Sequence, residues 1–528
     1  MLIDRHRVRA ARRWFSHLPV RVQFGIIALC VAVVAAAAFA VYHKAESVAG
    51  AQANCMVRGA TVVQHEGPNA ECVGITDGAF PFDPALNGVE QEIMNENQKI
   101  TSAHPADYVS IVMLLPISPV SGSVMSITNV LEQLRGAYAA QYYANRNDLG
   151  GAGVTPYIQL LVGNDGYQAD QWQGAVGIIE NAVSSEHVAA VAGLGVSLDT
   201  TRSAALSLTG DGIPVFGATI TSDDFNNIKD LVRVAPSNSS AVPVAVSYVK
   251  ARYSRAVIVE DQNTGDIYDS TLVTGLEKFA DAGHQFVGRE PYDTTQRDQA
   301  QSTAAEQAAE AVVQDRLSLM PSDICVAEQS GPAVVLFAGR GSDLAQLITY
   351  LKDRPCTNVP ITIMSGDDVT NMLIDPGVRA GLSSGVTLDY VGIASPDEWN
   401  QGTGAAIAAG RKGFQVFKQG FDSLFPGSSL TDGNSMMAYD AVLTGGSAIR
   451  LTKQQQPQPY AVDGMLGALQ GAHTVLGSSG PIAFEATYTT SNDASNPVDK
   501  PVPVLQIGPN GDTQFLALYW PSGEPISP

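Results

Sequence analysis

The chain of 528 residues is poor in positive charge. It has 31 Lys and Arg against 52 Asp and Glu, which gives a formal net charge of −21 at pH 7. A protein that binds nucleic acid needs a basic surface to neutralise phosphates, so we exclude nucleic acid as a partner. Because 45% of the residues are hydrophobic and only 16% are charged, we expect a globular protein with large buried sheets.

Motifs for metal binding and catalysis are also missing. The eight histidines are scattered, and no two have the spacing of a helical metal site. The single G-x-S-x-G match, Gly381–Gly385, precedes a strand-like run, whereas a nucleophile elbow needs its serine between a strand and a following helix. Gly150–Gly153 fits a connection between a helix and a strand better than a phosphate-binding loop. The sequence therefore predicts no enzyme activity, no cofactor and no metal site.

Cysteine is scarce, with five residues in the chain. Cys30 lies in an apolar run, and the other four fall into two pairs that are local in the sequence. Outside the cytoplasm such cysteines usually form disulfides. Four cysteines allow three connectivities. We predict the local one, Cys55–Cys72 and Cys325–Cys356.

Long apolar runs are absent, with the exception of Val22–Tyr42, which contains no charge. As a helix it would span about 31 Å, enough to cross the core of a bilayer. Six arginines precede it: Arg5, Arg7, Arg9, Arg12, Arg13 and Arg21. This asymmetry predicts a cytoplasmic end at 1–21, a single transmembrane helix of the cell membrane at 22–42, and an extracellular remainder. A cleaved signal peptide is the alternative, because Ala38-Phe39-Ala40 resembles a cleavage site.

The segment 43–106 is polar and is punctuated by glycine and proline. Within it, Met56–Gln64 and Cys72–Thr76 predict a small hairpin closed by a disulfide. The apolar spacing in Leu86–Ile100 predicts a short helix. We interpret 43–106 as an extracellular stalk, with an independent binding module as the alternative.

From residue 107 onward, apolar strands alternate with helical patterns. Two similar sets follow each other, at 107–236 and 237–392. Continuous apolar strands between helices are typical of doubly wound parallel α/β sheets. We predict two lobes with a hinge near Val234–Ser239. The segment 393–480 would return to the first lobe, and 481–528 would form closing strands and a tail.

One stretch, Ala189–Phe225, combines two strands with turns rich in glycine and hydroxyl side chains. The two strands should be parallel, so their carboxyl ends and the adjacent helix start face one crevice. Hydroxyls and backbone N–H groups in such a crevice suit a carboxylate or a similar anion. Helix capping is the alternative reason for serine and threonine at these positions.

Four places carry a resemblance to a known protein family. They are the first strand with its helix (SIVMLLPIS, then Gly136-Ala137), the turns of Ala189–Phe225, the late helix Asn434–Ala441 (NSMMAYDA), and the closing strands Gly480–Phe484 and Val502–Ile507. In order and spacing they resemble the type 1 periplasmic solute-binding proteins of the branched-chain amino-acid class. The resemblance implies a two-lobed clamshell that closes by hinge motion on a small solute. It also implies an ABC permease with cytoplasmic ATPase subunits as partners.

The resemblance further implies which residues bind an amino-acid-like solute. Hydroxyls and N–H groups of the first lobe would bind its carboxylate, at Ser197, Thr200, Thr219 and Thr221. An acid of the second lobe, Asp367 or Asp368, would bind its ammonium group. The same two acids could instead cap the next helix.

The second lobe departs from the family pattern at two positions. After the strand at Arg255–Glu260 the family has the motif D-x-x-Y-G, whereas this chain has Asp261–Gly265 and its tyrosine, Tyr268, comes three residues later. Thr264 and Tyr268 are the residues that we expect to bind the solute in this part of the second lobe. After a further strand the family often has an aromatic residue, and this chain has Arg340. Arg340 would pair with a ligand anion or with an acid of the cleft, or else lie on the surface.

A second class of function fits the same pattern. The chain could be the ectodomain of a membrane-anchored sensor or receptor without a transport role, whose closure another membrane protein detects. The predicted cytoplasmic end, 1–21, is too short for a signalling domain of its own. An extracellular enzyme on this scaffold would lack catalytic residues.

Overall fold

The computed structural model describes residues 55–66, 71–117, 125–300, 303–400, 402–453, 469, 473–485 and 495–526. The predicted membrane helix, 22–42, and the predicted cytoplasmic end lie outside these residues. Among the residues that are described, no helix has both the length and the apolar character needed to cross a membrane. Residues from Met56 onward belong to one unit, which holds two large sheets.

The first sheet has eight strands. Their bounds are Val57–Arg58 (β1), Thr61–Glu66 (β2), Glu71–Thr76 (β3), Tyr108–Leu115 (β4), Tyr157–Asn164 (β5), Val188–Gly193 (β6), Val215–Gly217 (β7) and Leu231–Arg233 (β8). The order across the sheet is β1-β2-β3-β5-β4-β6-β7-β8, and the strands from β5 to β8 run parallel. The central strand β4 is buried along its whole length after its first residue, which explains its unbroken apolar sequence.

Helices cover both faces of this sheet. They are Asn87–Ala103 (α1), Ile127–Ala144 (α2), Trp172–Ser185 (α3) and Asp199–Gly210 (α4), followed later in the chain by two further helices of the first lobe. Apolar side chains pack on each face, in one cluster with α2 and a second with α3 and α4. The sheet is thus buried between two helical layers, as predicted.

The second lobe begins with Asn238–Lys250 (α5). It continues through Arg255–Asp261 (β9), Ile267–Leu276 (α6), Gln285–Tyr292 (β10), Thr295–Asp298 (α7), Thr303–Gln329 (α8), Val334–Ala338 (β11), Gly341–Leu351 (α9), Ile361–Ser365 (β12), Pro376–Ser383 (α10) and Val386–Val391 (β13). The strands β10-β9-β11-β12-β13 are adjacent in that order and parallel. Apolar clusters again lie on both faces of the sheet.

The end of the chain contributes to both lobes. Ala405–Leu424 (α11), Asn434–Lys453 (α12) and the hairpin of Val475–Gly477 (β14) and Gly480–Ile482 (β15) belong to the core of the first lobe. Val502–Ile507 (β16) and Thr513–Tyr519 (β17) instead extend the second sheet, where β16 pairs antiparallel with β13. The parallel sheet predicted for the second lobe is therefore mixed.

The predicted stalk does not hold for 57–103. The hairpin of β2 and β3 is present, but β3 also pairs antiparallel with β5 and so extends the sheet of the first lobe. Helix α1 packs against β5 and α2, and Asn97 Nδ2 donates to the carbonyl oxygen of Leu160 at 2.7 Å. The free edge of β5 needs a partner strand, and this segment supplies it.

In the described residues the chain crosses between the lobes at three places: between β8 and α5, between β13 and α11, and between β15 and β16. Arg233, the last residue of β8, ties the first crossing to the third. Its N–H donates to Ser495 O (2.9 Å), and its Nε donates to Asn496 Oδ1 (2.6 Å). The guanidinium is completely buried, so these bonds are shielded from water.

The predicted disulfide Cys325–Cys356 is present. It links α8 to the loop after α9, with 5.6 Å between the Cα atoms. Cys55 and Cys72 are each disulfide-bonded as well, and the pairing predicted for them stays a prediction.

Two helical glycines give a matched test of the packing. A β-carbon on Gly136 of α2 would overlap the carbonyl oxygen of Ser435 in α12, whereas one on Gly177 of α3 would meet nothing within 4 Å. We expect Gly136→Ala to lower the free energy of unfolding by about 1–3 kcal/mol through overpacking. Gly177→Ala should raise it by about 0.5–1 kcal/mol, because alanine favours the helix. Urea denaturation measures both, and equal effects of the two substitutions would contradict the close approach of α2 and α12.

Candidate functional site

The first lobe contributes two turns at the carboxyl ends of β6 and β7. The Ser197 hydroxyl accepts hydrogen bonds from the N–H groups of Thr221 (2.9 Å) and Ser222 (3.1 Å), so it joins the two turns. Thr219 Oγ1 donates to Gly195 O. Gly195 adopts a positive φ of 66°, and a β-carbon there would overlap Pro116. The N–H groups of Ser197 and Thr219 have no acceptor among the described residues, which leaves two donors for an anion.

The second lobe contributes a buried ion cluster at the carboxyl ends of β9, β11 and β12. Arg340 pairs with both carboxylate oxygens of Asp266, through Nε at 2.7 Å and Nη2 at 2.9 Å. Its Nη1 lies 3.3 Å from Asp368 Oδ1. Asp266 also caps α6 by accepting from the N–H groups of Tyr268 and Asp269. Of the three predicted alternatives for Arg340, the structure shows pairing with acids of the cleft.

Tyr268 is buried behind these ions. Its hydroxyl accepts from the N–H of Asp368 at 3.1 Å, and the Arg340 guanidinium lies over its ring, 4.8 Å from the centroid. A β-carbon at Gly366 would overlap the hydroxyl, so only glycine allows the ring this close to the loop after β12. The tyrosine therefore supports Arg340 through a cation–π contact.

Contacts between the lobes close the cleft. Thr221 Oγ1 donates to the carboxylate of Asp367, at 3.2 and 3.3 Å from its two oxygens. Arg340 Nη2 donates to Ser197 O at 2.7 Å. On α2, Asn129 Nδ2 donates to Asn371 Oδ1 at 2.5 Å. These bonds leave a polar cavity of about 20 Å³ between the lobes, which is room for about one water molecule.

Seven of the nine predicted binding residues line this cavity: Ser197, Thr219, Thr221, Tyr268, Arg340, Asp367 and Asp368. The other two do not. Thr200 Oγ1 donates to Gln168 O at 2.7 Å, inside the first lobe. Thr264 is exposed on the loop before α6. Neither is among the residues that line the cleft, so neither is placed to touch a solute there.

The acids of the second lobe do not cap the helix that follows them. The short 3-10 segment Asp367–Asn371 has Gly366 at its N-cap, with no side-chain capping bond. Asp368 instead accepts from the N–H of Gly341 (2.7 Å) and from Asn371 Nδ2 (2.8 Å). Asp367 is half-buried and its carboxylate faces Thr221. The capping alternative is therefore ruled out for this segment.

Burial and mutual repulsion raise the pKa values of the acids at the cleft. Loss of solvation, with the charge of Asp368 close by, raises the pKa of Asp367 to about 7. Burial also raises the pKa of Asp368, although the Arg340 charge opposes the shift. Asp269 is completely buried, and in the described part of the chain neither of its carboxylate oxygens has a hydrogen-bond partner. Burial, together with the charge of Asp266, raises the pKa of Asp269 well above the usual value. The second lobe thus holds more carboxyl groups than Arg340 alone can neutralise.

Several residues of the site lie outside the predicted set. Gln133 of α2 donates to Thr219 Oγ1 (3.2 Å) and to Asn434 Oδ1 (3.1 Å), and so links α2, α12 and the second turn. Asn434 lines the cavity, and its Nδ2 has no hydrogen-bond partner within the described ranges. Asp266 holds Arg340. Asn434 stands in the NSMMAYDA motif, which could have marked it; the amides of α2 carry no comparable signal because they come from a helix rather than from strand ends.

Comparison with known proteins identifies the fold. No protein-family model matches the sequence, and no curated protein does. Solved structures do match. One is an ABC transporter substrate-binding protein from Desulfitobacterium hafniense in complex with Leu, at 15% identity and a TM-score of 0.55, covering 78% of this chain and 100% of that one. A leucine-binding protein from Thermotoga maritima matches at 16% identity and a TM-score of 0.52, covering 80% of this chain and 99% of that one. A solute-binding protein from Rhodopseudomonas palustris in complex with 3,4-dihydroxybenzoic acid matches at 12% identity and a TM-score of 0.54. The match covers 78% of this chain and 97% of that one. The chain has the type 1 periplasmic binding protein fold.

Proposed function

We propose that this chain is the extracytoplasmic solute-binding component of an ABC-type uptake system. The observation that carries the proposal is the meeting of polar side chains from both lobes across one cavity, at the carboxyl ends of two largely parallel sheets. In open α/β folds this is the place where ligands bind. Structures of the same fold that hold leucine or an aromatic acid support a small organic solute.

The charges of the site favour an amino-acid-like solute. The first lobe offers hydroxyls and the unused N–H groups of Ser197 and Thr219, which suit a carboxylate. At the cleft, the second lobe offers an excess of acid over the guanidinium of Arg340, which suits an ammonium group. A zwitterion would match both sides of the cleft.

Solute entry requires the lobes to separate. The cavity of about 20 Å³ is too small for an amino acid, and the Asp367 carboxylate already accepts from Thr221. A solute carboxylate could take the same hydrogen bond from Thr221 once the cleft has opened. Binding would then replace contacts between the lobes by contacts with the solute. The equilibrium between the empty closed state and the solute-bound state depends only on the difference in free energy between these two sets of contacts.

The proposed partners are an ABC permease and its cytoplasmic ATPase subunits. The apolar run 22–42 would anchor the protein next to that permease in the cell membrane. A sensor role predicts the same solute binding without any loss of uptake. Deleting the protein and measuring uptake of the bound solute separates these two roles.

The test is a thermal-shift screen of the protein against amino acids, amides, short peptides and aromatic acids. A solute present at 100 times its Kd should stabilise the protein by about 2.7 kcal/mol. Thr221→Ala and Asp367→Asn should weaken the hit at least about tenfold, since each removes a polar or charged contact of the cleft. Thr264→Ala, on the exposed loop, is the control and should leave affinity unchanged.

Three results would count against the proposal. They are the absence of any hit in these compound classes, an equal loss of affinity in Thr264→Ala, and conversion of the hit into a product.

A further inference from the structure

A second, larger cavity lies outside the cleft. Its volume is about 450 Å³, against about 20 Å³ between the lobes. Pockets of roughly 300–1,000 Å³ hold small organic ligands in proteins. Its walls come from the second crossing and the start of α11, the β14–β15 hairpin, the residues before β16 and the turn after β17. Both lobes and two of the crossings therefore contribute to it.

Two tryptophans give the cavity fixed walls. Trp399 is 1% exposed and sits between two glycines: a β-carbon on Gly410 or Gly480 would overlap its indole ring. Trp520 begins a tight turn in which its N–H donates to Glu524 O at 2.9 Å. Ser247 Oγ of α5 holds the same turn by donating to Gly523 O at 2.8 Å. Contacts within the protein thus hold both walls in place.

The remaining lining is apolar with an acidic rim. Prolines, alanines and a valine complete the apolar walls: Ala406, Pro481, Ala483, Val498 and Pro501. Two exposed acids, Asp499 and Glu524, stand at the cavity, and no basic side chain is among the described residues that line it. Lys500 lies between them in the chain but is buried, and its Nζ donates to Ser479 Oγ.

We infer that this cavity binds a small organic cation with an apolar body, of the arylalkyl-ammonium class. The apolar body would be buried against the indole rings and prolines. The ammonium group would lie near the acids, and an aromatic wall adds a cation–π attraction. An anion would meet Asp499 and Glu524, and the described residues that line the cavity include no basic side chain to neutralise it. The inference does not depend on the function proposed for the cleft.

The probe for this site is phenethylammonium, titrated by calorimetry into the full-length protein. Its matched isosteres are neutral 2-phenylethanol and anionic 3-phenylpropionate. Trp520→Ala should weaken phenethylammonium at least about tenfold, because one indole supplies both apolar contact and cation–π attraction. The pair Asp499→Asn with Glu524→Gln should weaken it roughly fivefold and leave 2-phenylethanol unchanged.

Two kinds of control keep the result specific. Asp422→Asn, a surface acid of α11, should change nothing. Thr221→Ala and Asp367→Asn should also leave the affinity within about twofold, which separates this site from the cleft. If Trp520→Ala fails to fold, Trp520→Phe should still bind phenethylammonium. The substitutions of Asp499 and Glu524 then test the inference. Binding that follows the cleft substitutions, tighter binding of 3-phenylpropionate, or full affinity in the acid double variant would overturn the inference.

Discussion

Arg340→Met should lower the free energy of unfolding by about 3–5 kcal/mol, the usual cost of removing one partner from a buried ion cluster. Arg340, Asp266 and Asp368 expose only 7%, 4% and 7% of their side chains, so water cannot replace the lost guanidinium. The substitution also removes the hydrogen bond to Ser197 O across the cleft. Urea denaturation followed by circular dichroism measures the loss.

The matched control is Lys418→Met in α11. Lys418 pairs with Asp422 at 2.6 Å, but both side chains are about half exposed. Its loss should cost at most about 0.5 kcal/mol, as for other exposed pairs one helical turn apart. Adding Asp266→Asn to Arg340→Met should recover part of the stability, because it removes one uncompensated charge. A loss in Arg340→Met no greater than in Lys418→Met would show that the buried cluster is not a coupled unit.

The protein should become less stable as the pH rises from 5 to 8. Burial is the main cause of upward pKa shifts in four carboxyl groups: to about 9 in Glu90, about 8 in Asp165 and Glu398, and about 7 in Asp367. In the unfolded chain such groups titrate near pH 4. Between the two values the folded protein holds more protons than the unfolded chain, so the free energy of unfolding falls with pH. Each group titrating in this way contributes a slope of about −1.4 kcal/mol per pH unit.

Asp165→Asn isolates one contribution to this slope. Asp165 is completely buried, and neither of its carboxylate oxygens has a hydrogen-bond partner among the described residues. The asparagine cannot ionise, so between pH 5 and 7 the slope should become less steep by about 1.4 kcal/mol per pH unit. The control is Asp353→Asn, whose side chain is 80% exposed and therefore hydrated in both states. Stability that is constant or rises over this pH range would contradict the prediction.

Much of the fold was predictable because the strands are buried on both faces. A short apolar run such as Val188–Gly193, which ends at a glycine, fits a strand that is buried on both faces. The segment 57–103 was harder, since its helix is polar and its strands are short. Only the pairing of β3 with β5 and the packing of α1 against β5 assign it to the first lobe. The short strand β8 gives no periodic signal at all. The closing run Val502–Ile507 predicted β16, but the sheet that this strand joins depends on tertiary contacts.

The candidate site was predictable where strand ends and motif spacing fix it. Ser197, Thr219 and Thr221 follow the ends of β6 and β7, so topology alone brings them to the cleft. The partner of Arg340 was not predictable, because Asp266 lies 74 residues away and reaches the guanidinium only through the start of α6. Thr264 was misplaced by following the family spacing through a loop whose register differs here. Side-chain direction within loops is the information that a single sequence lacks.

The interleaving of the two lobes has a consequence for biosynthesis. Gln133 and Asn434 form a hydrogen bond although 301 residues separate them in the chain. The edge of β13 is paired only after β16, near the end of the chain, has been synthesised. Neither lobe can therefore finish folding on the ribosome until nearly the whole chain has emerged. The first lobe cannot fold before the second lobe is synthesised, as an amino-terminal domain usually does. For most of translation the apolar faces of β4 and β6 lack their final cover. We expect folding to be slow and post-translational, with a long interval in which a holding chaperone can bind.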